Sequence, residues 1–370
     1  MEDLEIKNEN TTNEVDIDWD DLYGDLKDNR AILILGPEFY ANDGLSVKEQ
    51  LYYELIKRED HGIIHFYPSN GIFLFQSERY KNKAQKFSCE FYKKLEGDES
   101  IMQKISELPF RMIINTNPDK ILQRKYGTRA QYDYFTWRLN KKVNQIVEPD
   151  SDFPLIFNLF GSIDSFESIV LDFEDIFDHL KSLLNNINVS DIIRSVLKET
   201  DTFIFVGFHL EKWDTQLLFR YLNMKDHCFD DSKKNYTTRS LNIDNSSESF
   251  FRKQFNIKYY GAPVDFLDEI HKKYCEIINE EERVLMQGLS TRGKIEYYIS
   301  KNKIENAIKI LDDYIQNHET DLADTFLLVQ QKFSGYCEAM KNQDEDRSVL
   351  DDQRRAIKKS ILGLAKSLQA

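Results

Sequence analysis

Four short apolar runs constrain this chain more than any other feature: "AILILGPEF" from residue 31, "FRMIINTNPD" over 110–119, "FPLIFNLFGSID" over 153–164 and "DTFIFVGFHL" over 201–210. None alternates polar with apolar residues. Each therefore reads as a strand buried on both faces, as in a parallel sheet covered from two sides. A fifth, shorter strand is predicted at "SIVLD" (168–172). Helical stretches are predicted over 45–59, 83–95, 172–186, 189–199 and 212–223. Strands that alternate with helices make an α/β fold, a parallel sheet with helices on both faces.

Each long strand ends in a small or polar loop: Gly36-Pro37-Glu38, Thr116-Asn117-Pro118-Asp119, Phe160-Gly161-Ser162-Ile163-Asp164 and Gly207-Phe208-His209. Ligands of open α/β sheets bind outside the carboxyl ends of the strands, so these loops hold the candidate site residues. Read singly, each is an ordinary turn, and Thr-Asn-Pro-Asp is a turn followed by a helix cap.

The rest of the chain is organised around this core. Residues 1–18 are acidic and polar and read as a disordered tail. "DWDDLYGDLKDNR" (18–30) reads as a short helix with Asp18 or Asp20 as its cap and Trp19, Leu22 and Leu26 on one face. The polar stretch 228–249 is expected as a loop, 250–261 as a strand and 263–279 as a helix. From about residue 280 no proline and no strand-like run appears. Ile304, Ala307, Ile308, Leu311 and Ile315 share a helical face, as do Phe326, Val329 and Phe333, and then Ile357, Ile361, Leu364 and Leu368. The expected organisation is a tail (1–18), an α/β domain (19–280) and a small all-helical C-terminal module (281–370).

Composition narrows the function classes. The 370 residues are 41% hydrophobic and 31% charged, with a net charge of −15. Such an acidic balance argues against nucleic acid and against anionic membranes as partners. No apolar run reaches the roughly 18–20 residues that span a bilayer, and "MEDLEIKNENTTNEV" has no basic or apolar leader region, so the expected location is cytoplasmic. Cys89, Cys228, Cys275 and Cys337 are scattered with no C-x-x-C pair, which predicts buried thiols and no metal site.

In order and spacing, the four loops resemble the sirtuin-like family, in particular its bacterial, zinc-less branch. "ELPFRMIINTNPDKILQ" is similar to the family's T-x-N-x-D loop, "DTFIFVGFHLEKWDTQLLFRYL" to its late G-[FY]-S-x-x-D loop, and "PLIFNLFGSIDSFESIVL" to the strand that reaches its His-Gly pair. The C-terminal helices look like effector-associated modules of bacterial conflict proteins. The resemblance implies a Rossmann-like sheet that binds NAD, with no metal. It implies that Gly36 and Pro37 lie near the cofactor and that Asn117, beside Thr116, holds the nicotinamide ribose or orients a water. Asp119 would brace that loop, Gly161, Ser162 and Asp164 would line the end of the third strand, and Gly207 and Phe208 would flank the adenosine.

Two departures stand out. The family's catalytic histidine is replaced by Phe160, which cannot accept a proton, although general-base catalysis contributes on the order of 10²–10⁴-fold. Its Gly-Ala-Gly becomes Gly36-Pro37-Glu38, losing one backbone donor and adding a negative charge where a pyrophosphate would lie. His209 and Glu38 are the alternative bases. Two functions follow from the resemblance. One is an NAD+ hydrolase effector of antiphage defence with a degenerate site. The other is an inactive scaffold or sensor that meets another defence protein, or a second copy of itself, through the C-terminal helices. Deacylation is disfavoured, because the four-cysteine zinc ribbon of the deacylases is missing.

Overall fold

The computed structural model describes residues 17–41, 44–138, 146–225, 228–229, 232–238, 245–301, 303–318, 321–342 and 347–368. Most of the expected tail lies outside them. The chain divides into two compact units, residues 1–274 and 275–370.

In the first unit, chain order gives strands β1 (Ala31–Leu35), β2 (Ile63–Tyr67), β3 (Ile72–Phe75), β4 (Met112–Asn115), β5 (Gln131–Tyr134), β6 (Leu155–Asn158), β7 (Thr202–Val206), β8 (Met224–Lys225), β9 (Cys228–Phe229), β10 (Lys234–Thr238) and β11 (Ile257–Tyr260). Seven of them form one sheet in the order β11-β10-β7-β1-β4-β6-β5, every neighbouring pair parallel. The chain leaves β1 toward β4 on one side and later returns to β7 on the other. The end of β1 is thus the topological switch point, where a crevice opens in such sheets.

Helices cover both faces. They are α1 (Trp19–Lys27), α2 (Val47–Ile56), α3 (Glu78–Lys94), α4 (Glu99–Glu107), α5 (Ile121–Tyr126), α6 (Phe173–Leu184), α7 (Asp191–Glu199), α8 (Trp213–Leu222), α9 (Asn245–Phe255) and α10 (Pro263–Gln287). All five residues of β1 and of β7 are buried. Side chains alternate across the pleat, so Ala31, Leu33 and Leu35 join a core with Leu22, Leu51 and Ile105, while Ile32 and Ile34 join another with Val196, Leu218 and Phe251. Asp18, not Asp20, caps α1, accepting a bond from the Asp21 backbone N–H.

Five local points differ from expectation. Residues 168–172 form no strand; this segment runs beside β3, where the Phe73 N–H donates to the Leu171 carbonyl at 2.9 Å. The β2–β3 hairpin is absent from the expected elements, although Asn70-Gly71 between two apolar runs is a turn signal. The stretch 228–249 contains the sheet strand β10, and 250–255 is the end of helix α9 rather than part of a strand. Cys89 is buried, but Cys275 and Cys337 are partly exposed.

The second unit contains α11 (Thr291–Ser300), α12 (Ile304–Asn317), α13 (Ala323–Asn342) and α14 (Arg347–Lys366). Its core holds Ile304, Ala307, Leu311, Phe326, Val329, Ile357, Ile361, Leu364 and Leu368, with Ile308, Ile315 and Phe333 packed against it. The periodic faces thus serve this unit's own core. No helix among the described residues is long and apolar enough to cross a membrane.

Candidate functional site

A cleft opens at the carboxyl ends of β7, β1, β4 and β6. It is lined by Pro37 and Glu38 after β1, by Thr116, Asn117 and Pro118 after β4, by Phe160 after β6, and by Phe208, Lys212 and Asp214 after β7. The β2–β3 turn adds Pro68, Asn70 and Gly71, the start of α2 adds Ser46 and Lys48, and the approach to α6 adds Val170 and Asp172. Its volume is about 90 Å³, below the roughly 150 Å³ that accommodates a benzene ring.

The loop after β4 is held by a chain of buried hydrogen bonds. The Asn115 side chain accepts from the Asn117 N–H at 3.1 Å and donates to Asp119 at 3.0 Å. Asp119 also accepts the Ile121 N–H at 2.8 Å, at the entry to α5. The Asn158 amide donates to the Asp119 carbonyl at 2.6 Å. Burial pushes the Asp119 carboxyl up to about 6, against the pull of these bonds. Asp119 is therefore a brace behind the cleft and not part of its lining. Asn117 does line it, and its side-chain amide donates to the Gly36 carbonyl at 3.5 Å.

The two glycines after β1 and β7 serve each other. A Cβ on Gly36 would stand 2.1 Å from the Gly207 carbonyl oxygen, and one on Gly207, whose φ is +78°, would stand 2.6 Å from the Phe39 nitrogen. Their smallness lets two loops interlock, a different use from letting a cofactor approach. Gly161 (φ +92°) packs likewise against the Ser168 carbonyl. Ser162 is buried, with its hydroxyl 2.6 Å from that of Tyr132, and Asp164 pairs with Lys120 at 2.5 Å. These three do not line the cleft.

Of the two alternative bases, Glu38 lines the cleft and His209 stands beside it. The His209 Nε2 lies 3.9 Å from Glu38 Oε1, and its Nδ1 lies 3.3 Å from Glu211. Lys212 pairs with Glu38 at 3.2 Å. That ion pair offsets the charge that sequence reasoning sets against a pyrophosphate.

Three residues escape sequence reasoning. Lys48 donates to the Val170 carbonyl at 2.5 Å, and burial pushes its ammonium down to about 8. Lys212 reads from the sequence only as part of a helix. His179 on α6 is wholly buried and stacks on Phe160, with ring centroids 4.6 Å apart and planes at 16°. Nothing local marks these side chains, because their relation to the cleft arises from packing between distant segments.

Does an NAD-type dinucleotide fit? The first loop has no amide to give a pyrophosphate. The Gly36 N–H donates to Val206, that of Glu38 to Gly207 and that of Phe39 to Gly36, while Pro37 has none. Of the three lining carboxylates, Glu38 pairs with Lys212 at 3.2 Å and Asp172 with Lys81 at 3.0 Å, so the spent amides carry the argument. The residues present do not fit a pyrophosphate on this loop. Among the described residues, no group of His, Cys, Asp and Glu is placed to hold a metal ion.

Residues 111–260 match the family model of the SIR2-like domain. The likeness is to sirtuins. The matched stretch holds three of the four strand-end loops, those after β4, β6 and β7. No curated protein matches the chain. Among solved structures, one described as the structural basis for the mechanism and regulation of Sir2 enzymes aligns at 14% identity with a TM-score of 0.37, covering 70% of this chain and 98% of that one. The sirtuin-like stretch thus carries Asn117, Phe160, Gly207, Phe208 and His209, and the loop after β1 lies outside it.

Proposed function

We propose that this chain is a sirtuin-like component of bacterial antiphage defence whose α/β cleft has lost NAD hydrolysis. It acts as a scaffold or sensor, and the C-terminal helices meet another protein of the system or a second copy of the chain. One observation carries this reading: Phe160 occupies the cleft where the resemblance expects a histidine, and it is stacked into the wall. The spent amides of the first loop point the same way.

Loss of function here is a matter of missing chemistry. A phenyl ring has no lone pair with which to take a ribose hydroxyl proton, and the family's step loses its base. The Asn117 loop keeps its geometry because Asn115, Asp119 and Asn158 brace it from behind, and that bracing also serves the fold.

A second reading, residual NAD hydrolysis, is favoured by one contact. Glu38 and His209 stand 3.9 Å apart, so two groups able to accept a proton flank the cleft. Prolonged incubation of the purified chain with NAD, following nicotinamide release beside calorimetric binding, separates the two readings. Absence of both release and binding is the expected result. Release that vanishes in Asn117→Ala and in Glu38→Gln would overturn the proposal and establish the second reading.

A further inference from the structure

The imidazole behind Phe160 is costly where it stands. His179 is fully buried, and the Leu159 backbone beside it makes no hydrogen bond of good geometry with either ring nitrogen. A buried polar group left without a good hydrogen bond is destabilising. Three aromatic rings surround the imidazole: Phe160 lies flat on it, while Phe135 and Trp137 meet it edge-on at 4.7 and 5.6 Å. Burial pushes its pKa down to about 3, the Leu159 backbone opposing. The ring is thus neutral and holds an unshared lone pair.

Its position relates it to the cleft. Ile176, one helical turn earlier on α6, lines the cleft, and so does Phe160. Residues three apart on a helix share a face. His179 is therefore one aromatic layer behind the cleft wall, and that layer is the half-buried ring of Phe160. The backbone beneath Phe160 is clamped, because Gly161 packs without clearance on the Ser168 carbonyl. Motion at this point means rotation of the Phe160 side chain.

We propose that Phe160 is a movable plug over His179, and that His179 is a base this cleft holds in reserve, reached when the Phe160 ring swings aside. The same rotation enlarges the cleft. This device lies in the sirtuin-like cleft, yet it does not depend on NAD being bound or cleaved.

The test is carbethoxylation of the full-length chain by diethyl pyrocarbonate near neutral pH, with each histidine followed by peptide mass spectrometry. The reagent needs an accessible neutral imidazole nitrogen. His209, which is 33% exposed, serves as the internal control. Expected is a His179 rate at least tenfold higher in Phe160→Ala than in the wild type, with Phe160→Leu between them and His209 unchanged. An equally slow His179 in a folded Phe160→Ala chain would overturn the proposal. If Phe160→Ala fails to fold, the milder Phe160→Leu decides alone: no acceleration there overturns it. NAD consumption by the wild type would overturn the scaffold reading and leave this result untouched.

Discussion

The two walls of the cleft are built on opposite principles. On the side of β1, β4 and β7, backbone and amide groups are paired with one another: Gly36 with Val206, Glu38 with Gly207, and Asn115 with both Asn117 and Asp119. On the side of β6 and α6, the contact is aromatic stacking, and neither imidazole nitrogen has a hydrogen bond of good geometry. Directional bonds fix a loop within tenths of an ångström, whereas a stack leaves a side chain able to rotate at modest cost. The first wall is rigid and has little left to offer a ligand. The second is where this cleft can change.

Four measurements would break or sharpen that contrast. The largest effect is expected at the interlocked loops. Gly207→Ala forces an L residue into a left-handed conformation and drives a methyl against the Phe39 backbone, with an expected loss of about 3 kcal/mol, read as a fall in thermal unfolding temperature. A neutral result would mean that the first wall is not rigid.

Next comes the brace. Asp119 has a folded pKa of about 6, raised above the ordinary 3.8 because burial penalises the ionised form. The native state therefore holds this proton more tightly than the unfolded chain. The associated stability is present below about pH 4 and is lost as pH rises through 6. A rise of that size corresponds to about 3 kcal/mol. In urea unfolding between pH 4.5 and 7.5, Asp119→Asn should flatten that slope relative to the wild type. Parallel slopes for the two proteins would place the titration elsewhere.

A smaller change is expected from Glu38→Gln, which removes one carboxylate from the lining and releases Lys212. Calorimetry with inorganic pyrophosphate should show affinity about tenfold higher than for the wild type, equivalent to about 1.4 kcal/mol. Unchanged binding would mean that the spent amides, and not charge, exclude the anion.

The smallest effect concerns the second wall. His179→Phe keeps the aromatic packing and removes two nitrogens that lack a good hydrogen bond, and it should stabilise the α/β unit by about 1 kcal/mol, seen as a higher unfolding temperature. Destabilisation would mean that the imidazole has a partner in solution.

Much of the fold is legible in local pattern. Continuous apolar runs make β1, β4, β6 and β7 readable, and helical spacing places Ile304, Leu311, Ile357 and Ile361 in one core. The strands built from polar residues are harder. Strand β10, "KNYTT", has little apolar signal because Thr and Asn fill it, and Asn235 bonds instead to Asn223 and the Phe255 carbonyl. Strand β5, "QYDY", is hidden for the same reason.

The site divides in the same way. Sequence by itself determined which loops end the central strands, that Asn117 stands in one of them, and that Phe160 cannot act as a base, because these follow from residue identity and periodicity. Tertiary structure decided the rest. It turned Gly36 and Gly207 toward each other, set Lys212 on Glu38, brought Lys48 from α2 to the cleft, and laid His179 under Phe160 from a helix that starts after β6 has ended. Each of these depends on distances between segments far apart in the chain, fixed only when the two faces of the sheet are packed.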